Sequence, residues 1–239
     1  MTAVLRAADL VISVSHAVAH EVVDATGLPA GKFRVVHNAA NAEFVPIDEA
    51  QRLAEVKAKY GLPDDFILFV GGIYPQKNFS RILTALDSIR GRIPHHLVVA
   101  GMMRWKTRED EALLETLGLG DRVHLLGWID HEDLAVLYNL ASCFIIPSFF
   151  ESCSVALLEA ISTGCPVIAA STGGNAEVAA DAAVYVDPYD VDDIAEAMLR
   201  VATDGALRSR LREAGLERAR LFGWEKAARE TLAVLTELA

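Results

Sequence analysis

The chain is short of basic residues, of cysteine and of long apolar runs, and each shortage excludes a class of protein. Lysine and arginine number 22 against 33 aspartates and glutamates, a net charge of −11. That balance rules against a nucleic-acid scaffold, which needs a basic face for the phosphates. It also means that an anionic ligand must be held by local N–H groups and a few cations rather than by an overall field. Three cysteines, an odd number without metal-like spacing, give neither a disulfide framework nor a zinc site and point to a reducing compartment. No stretch approaches the roughly 18 apolar residues of a membrane span, and no signal-peptide pattern is visible. The expected location is therefore cytoplasmic. Peripheral attachment to a membrane stays open, although the acidic balance disfavours it. Two familiar phosphate fingerprints, G-x-x-x-x-G-K-[ST] and G-x-G-x-x-G, are both missing. None of the seven histidines forms an H-x-x-x-H pair within a candidate site loop. His16 and His20 lie four apart on one predicted helix and read as a helix face, so no metal site is expected; His95-His96 opens a strand and reads as structural. There is no internal repeat and no low-complexity tract.

What the chain does have is a substantial apolar content, 52%, arranged as short apolar runs alternating with helical patterns. Strands are predicted at 10–14, 33–36, 66–70, 96–100, 123–126, 144–146, 166–170 and 183–186. Helices are predicted at 16–26, 47–60, 79–89, 108–117, 132–140, 155–163, 177–180, 191–202, 206–221 and 224–238. Residues 38–46 are polar and irregular and read as a linker. Strands apolar from end to end and separated by helices imply a parallel sheet covered on both faces. The fold class is therefore α/β, a doubly wound, Rossmann-like sheet of about six strands over residues 64–222, with a partial strand-helix-strand extension before it. The division falls at 1–45 and 46–239. Met1 to Ala8 runs almost directly into the first strand, an abrupt start that suggests a fragment, and the two extension strands would present open edges able to pair with another chain.

Four loops carry the chemistry, and each follows the carboxyl end of a predicted strand, where ligands of such sheets bind. The most informative is Glu151-Ser-Cys-Ser-Val-Ala-Leu-Leu-Glu159. Ser154 can cap the helix that carries Val155, Leu157, Leu158 and Glu159. One acid then sits at the strand end and the other about a turn and a half into the helix. Between them lie the free N–H groups of a helix N-terminus, which suit a diphosphate. Two carboxylates beside an anion repel it unless they accept hydrogen bonds from hydroxyls, so the pattern suggests a nucleotide-sugar site. Glu159, flanked by Leu157, Leu158, Ala160 and Ile161, cannot be fully exposed, and a partly buried acid needs partners. Cys153, a lone thiol between two acids, is held as a thiol and is a poor nucleophile. Gly71-Gly72 let the backbone approach a ligand closely, and Lys77 can reach phosphates there or be a solvated lysine at a helix start. In Gly127-Trp128-Ile129-Asp130, Trp128 or Ile129 can wall a base, or Trp128 can pack on the core. In Gly173-Gly174-Asn175-Ala176-Glu177, Glu177 can serve the site or cap its own helix.

These four loops, in this order, resemble the retaining glycosyltransferases of family 4, of the GT-B fold. The family's E-x7-E element is similar to Glu151 and Glu159, and its Gly-Gly-x-x-Glu-Val segment to Gly173-Gly174-Asn175-Ala176-Glu177-Val178. Its lysine, in a Pro-x-Lys-Asn setting, matches Lys77. Its linker region resembles Ser15 and Asn38-Ala-Ala-Asn41, and its terminal aromatic-Trp helix resembles Phe222-Gly-Trp224-Glu225. The chain departs from the family at Gly72, where an arginine is common, and at Ser152, Ser154 and Ala156, which stand where the family has two glycines and a proline. The resemblance implies the donor-binding C-terminal half of such an enzyme, binding a UDP- or GDP-sugar, with no cofactor and no metal. It implies Lys77 at the donor diphosphate, the backbone of Ser152, Cys153, Ser154 and Val155 around diphosphate and sugar, Glu151 at the sugar, Glu159 at the ribose and Trp128-Ile129 at the base. The acceptor stays unknown, and a separate N-terminal-domain partner or another copy would meet residues 1–40. A non-catalytic nucleotide-binding or interaction module stays open as the alternative, and a GT-B sugar-nucleotide epimerase behind it.

Overall fold

The computed structural model describes residues 2–102 and 107–238. Six strands form one parallel sheet: β3 (Phe66–Val70), β4 (His96–Ala100), β5 (Val123–Gly127), β6 (Cys143–Ile146), β7 (Val167–Ala170) and β8 (Ala183–Val186), in the order β5-β4-β3-β6-β7-β8. The order reverses between β3 and β6, so the loops after those two strands meet at the switch point where doubly wound sheets bind ligands.

Alternate residues of each strand feed opposite faces. Phe66, Leu68, Phe144 and Ile146 belong to one core, with α6 (His131–Leu140) and α7 (Val155–Thr163) over them; Ile67, Phe69, Cys143 and Ile145 belong to the other, with α4 (Phe79–Ile89) and α9 (Val191–Thr203). In α4 the buried residues Phe79, Ile82, Leu83, Leu86 and Ile89 recur at three and four, the stripe of a helix laid on a sheet. The other α-helices from residue 50 onward are α3 (Ala50–Tyr60), α5 (Thr107–Leu117), the short α8 (Asn175–Ala179), α10 (Gly205–Ala219) and α11 (Trp224–Thr236).

Before this sheet come α1 (Thr2–Ala7), β1 (Val11–Ser13), α2 (His16–Thr26) and β2 (Phe33–Val35), with β1 and β2 paired in parallel. The sequence gives little sign of α1, which has a single helical turn and a half; Lys32 Nζ donates to the Arg6 carbonyl at its end. The predicted helix at 47–60 begins only at Ala50; ahead of it the Ile47 amide donates to Asn139 Oδ1 at 2.9 Å. The irregular segment between β2 and α3 is anchored rather than loose: Phe44 is buried against Tyr138.

Candidate functional site

The loops after β3 and β6 are laced together. Phe149 N donates to Gln76 O at 2.9 Å and Gln76 Nε2 returns a bond to Phe150 O at 2.7 Å. Asn78, left-handed at φ 60° and buried, donates from Nδ2 to Pro147 O (3.0 Å) and Pro188 O (2.7 Å). Asparagine tolerates that backbone region because its short polar side chain bonds locally. This frame brings Lys77 Nζ to 2.7 Å from Glu151 Oε1, with only 19% and 10% of the two side chains exposed. An ammonium has three donors, so one N–H on Glu151 leaves two for an incoming anion. Lys77 is therefore no solvated lysine.

Glu151 is in turn braced from the β7 side. Gly174 N donates to Glu151 O at 2.8 Å, and Thr172 Oγ1 donates to Ser148 O at 2.9 Å. Gly173 has φ 56°, and a Cβ there would lie 2.0 Å from Glu151 O. Only glycine permits both the conformation and the approach.

Helix α7 starts beside this pair. The Ser154 hydroxyl accepts from Leu157 N at 3.3 Å, while the first-turn amides of Val155 and Ala156 have no partner within the helix. The cap is the one expected of Ser154, which is buried, whereas Ser152 is exposed. Cys153 is buried, its carbonyl accepts from Asn38 Nδ2 at 3.4 Å, and burial pushes its thiol pKa up.

On the other side of the switch point opens a cavity of about 300 Å³, lined by Val70, Gly71, Gly72, Tyr74, Gly101, Trp128, Ile129 and His131 among others. Ile129 is buried and Trp128 is 67% exposed. Trp128 therefore does not pack on the core; its ring is available at the rim, with Ile129 as the wall.

Glu159 lies one helical face further in, 7% exposed. Its Oε2 lies within hydrogen-bond distance of Tyr138 Oη, at 3.1 Å. Burial pushes its carboxyl up to about 7 from an ordinary 4.5, against the opposing pull of Tyr138 and His131. Stability tied to this group is fully present below pH 4.5 and is lost as pH rises through about 7.

Glu177 takes a role that sequence reasoning did not foresee. It caps a different helix, not its own. Its carboxylate accepts from His16 N (3.0 Å) and Ala17 N (3.1 Å) at the start of α2, and from His37 Nε2 at 2.5 Å. Arg218 holds the Glu177 and Val178 carbonyls from behind, at 2.5 and 2.8 Å. Burial opposes ionisation of Glu177, but these donors outweigh it and its pKa is lowered. This contribution is present above pH 4.5 and is lost only as pH falls below it. With Trp224 Nε1 on Asn41 Oδ1 at 3.1 Å and Arg34 on Glu237 at 2.7 Å, Glu177 fastens the β1-α2-β2 unit and the segment after it to α8 and α11. Glu177→Ala is expected to remove roughly 1 kcal/mol of capping, and amide exchange should quicken in α2 while β3 and β6 stay protected. Unchanged exchange in α2 would show that the clamp is idle.

The structure thus brings Lys77, Glu151 and the α7 N-terminus together, with Gly71, Gly72, Trp128 and Ile129 on the adjoining cavity. The residues that sequence reasoning missed are Tyr138, Asn78 and His37. Asn78 carried a faint signal, an asparagine just before the predicted helix at 79–89. Tyr138 and His37 carried none, because their partners are 21 and 140 residues away.

Residues 53–218 match the family model for glycosyl transferases group 1. Among curated proteins, O-antigen chain mannosyltransferase B of Escherichia coli is 31% identical over 234 residues, covering 95% of this chain and 60% of that protein. A D-inositol 3-phosphate glycosyltransferase of Kribbella flavida is 33% identical over 246 residues, covering 96% and 57%. Among solved structures, sucrose-phosphate synthase from Thermosynechococcus elongatus superposes with a TM-score of 0.87 at 30% identity, covering 99% of this chain and 60% of that one. Anabaena HepE, solved with UDP and glucose, gives 0.86 at 18% identity, covering 98% and 67%. The chain spans 60% of the first of these curated relatives and 57% of the second.

Proposed function

The chain belongs to the glycosyl transferases of group 1, and from that premise we propose that it is the donor-binding half of a retaining, family 4 enzyme that moves a hexose from a UDP- or GDP-sugar to an acceptor hydroxyl. The observation that carries this reading is the Lys77–Glu151 pair, held beside the α7 N-terminus at the switch point. A diphosphate placed there meets an ammonium, a helix dipole and first-turn amides, all oriented in advance. Such preorganised donors stabilise the charge that builds on a departing diphosphate, and the reading needs no metal or cofactor. The cavity at Trp128 and Ile129 takes the base, Glu159 takes the ribose hydroxyls, and Glu151 with the backbone of Ser152 to Val155 faces the sugar. The name of the Escherichia coli relative favours mannose as the sugar.

In this reading residues 1–45 belong to the acceptor-side domain and 46–239 to the donor domain. The β1–β2 edge then meets either a second copy of this chain or an N-terminal-domain partner. Among the described residues no helix is long and apolar enough to cross a membrane; a cytoplasmic enzyme, peripheral to the membrane where its acceptor is a lipid, fits the reading.

Calorimetry of the full chain with UDP, GDP and dTDP tests it. One base is expected to bind preferentially, while sugar transfer by this chain alone stays slow because no closed acceptor cleft forms. Equal silence from all three nucleotides would overturn the reading, and rapid transfer would overturn the two-domain part of it.

A further inference from the structure

With the ribose placed at Glu159, one phenol is left unexplained, and the role inferred for that phenol rests on this placement. Tyr138, near the end of α6, is fully buried, with its ring edge-on to Phe44 and Phe144. Its hydroxyl lies 3.0 Å from Ala156 O and 3.1 Å from Glu159 Oε2. A phenol owns one proton and two lone pairs. If Glu159 is ionised, that proton goes to the carboxylate, and the contact to Ala156 O holds no hydrogen. If Glu159 is neutral, its own proton goes to the Tyr138 oxygen and Tyr138 donates to Ala156 O. Both contacts are then hydrogen bonds, which is the arrangement a buried polar group requires.

A ribose presents two adjacent hydroxyls, each a donor. A carboxylate accepts both; a neutral acid accepts them poorly. We propose that Tyr138 is a positioning residue for Glu159: its hydroxyl serves the Ala156 carbonyl while the acid is neutral in the empty site, and turns onto the carboxylate, favouring its ionised form, when a ribose diol binds. The proton lost from Glu159 passes to solvent.

The surroundings agree. Burial dominates at Glu159; beyond Tyr138, His131 at the start of α6 favours the charged form and Glu43, before α3, opposes it. Tyr138 itself feels burial, Glu159 and the Cys165 thiol, all of which hold it as a neutral phenol.

The test uses the full chain, Tyr138→Phe and Glu159→Gln. Carboxyl-carbon NMR of the unliganded protein should show Glu159 titrating with a midpoint of about 7. In Tyr138→Phe the midpoint should rise, because a donor to the carboxylate is gone. Calorimetry is then run with UDP-glucose and GDP-mannose, since their phosphates carry no proton that leaves near neutrality. Affinity for the preferred donor should fall by up to about tenfold per pH unit below the midpoint, with release of about one proton seen as a buffer-dependent heat. In Tyr138→Phe the levelling-off should move to higher pH, and affinity at neutral pH should drop by roughly tenfold. Glu159→Gln should bind with no pH dependence. A role confined to packing would cost stability and leave these profiles superimposed, and that result, or a Glu159 midpoint near 4.5, would overturn the proposal. Donor binding with a flat pH profile overturns this inference alone; no donor binding at any pH overturns the functional reading with it.

Discussion

Lys77→Ala is expected to weaken nucleotide-sugar binding by roughly 10- to 100-fold, because a charge-assisted hydrogen bond to phosphate contributes about 1.5–3 kcal/mol. The same change should lower stability. Glu151 is left with 10% of its side chain exposed and no counter-charge, and stranding one member of a buried pair costs about 3 kcal/mol or more. For a chain of this size that is a fall of roughly 6–12 °C in the unfolding midpoint. The two effects separate in the double variant Lys77→Ala/Glu151→Ala, which removes the stranded charge. Stability should recover substantially while donor affinity stays low. Calorimetry and thermal melts on the two single variants and the double variant complete the cycle. Lys77→Ala with donor affinity intact would place the diphosphate elsewhere.

Gly173→Ala should be as damaging without touching any charge. Alanine at φ 56° costs about 1–2 kcal/mol. Its Cβ would then sit 2.0 Å from the Glu151 carbonyl oxygen, which real structures do not allow. The Glu151 loop has to move, and the 2.8 Å bond from Gly174 N to Glu151 O goes with it. Displacing a site by about 1 Å can cost on the order of 100-fold in rate. Donor affinity and any transfer or donor hydrolysis are therefore expected to fall by about that factor, with a stability loss of about 3 kcal/mol. Gly31→Ala is the matched control: it has ordinary φ and nothing within 4 Å of the added methyl. Equal behaviour of the two variants would show that the 171–174 loop does not brace Glu151.

The sheet was readable because its central strands β3, β6 and β7 are apolar throughout and its helices are punctuated. Phe66-Ile-Leu-Phe-Val70 admits no polar face, and Ser154 and Gly164 bracket α7 as cap and stop. Lys77, Glu151 and the glycine pair at 173–174 were legible for a related reason: each is an unusual residue at a strand's carboxyl end. The bounds of α3 and the presence of α1 were not; each borders on a contact from outside the segment, Asn139 Oδ1 at the Ile47 amide and the Lys32 ammonium at the Arg6 carbonyl.

Local pattern by itself determined the α/β class, the succession of strands and of α-helices apart from α1, and which loops could hold an anion, since burial period and capping act within a dozen residues. Tertiary structure alone decided who partners whom. The crossing of the chain between β3 and β6 sets Lys77 on Glu151, the packing of α6 on α7 sets Tyr138 on Glu159, and the docking of β1-α2-β2 turns Glu177 from its own helix to another's. Hydrogen bonds and ion pairs have a reach of about 3 Å, and which groups come within that reach is fixed by topology, not by neighbours in sequence.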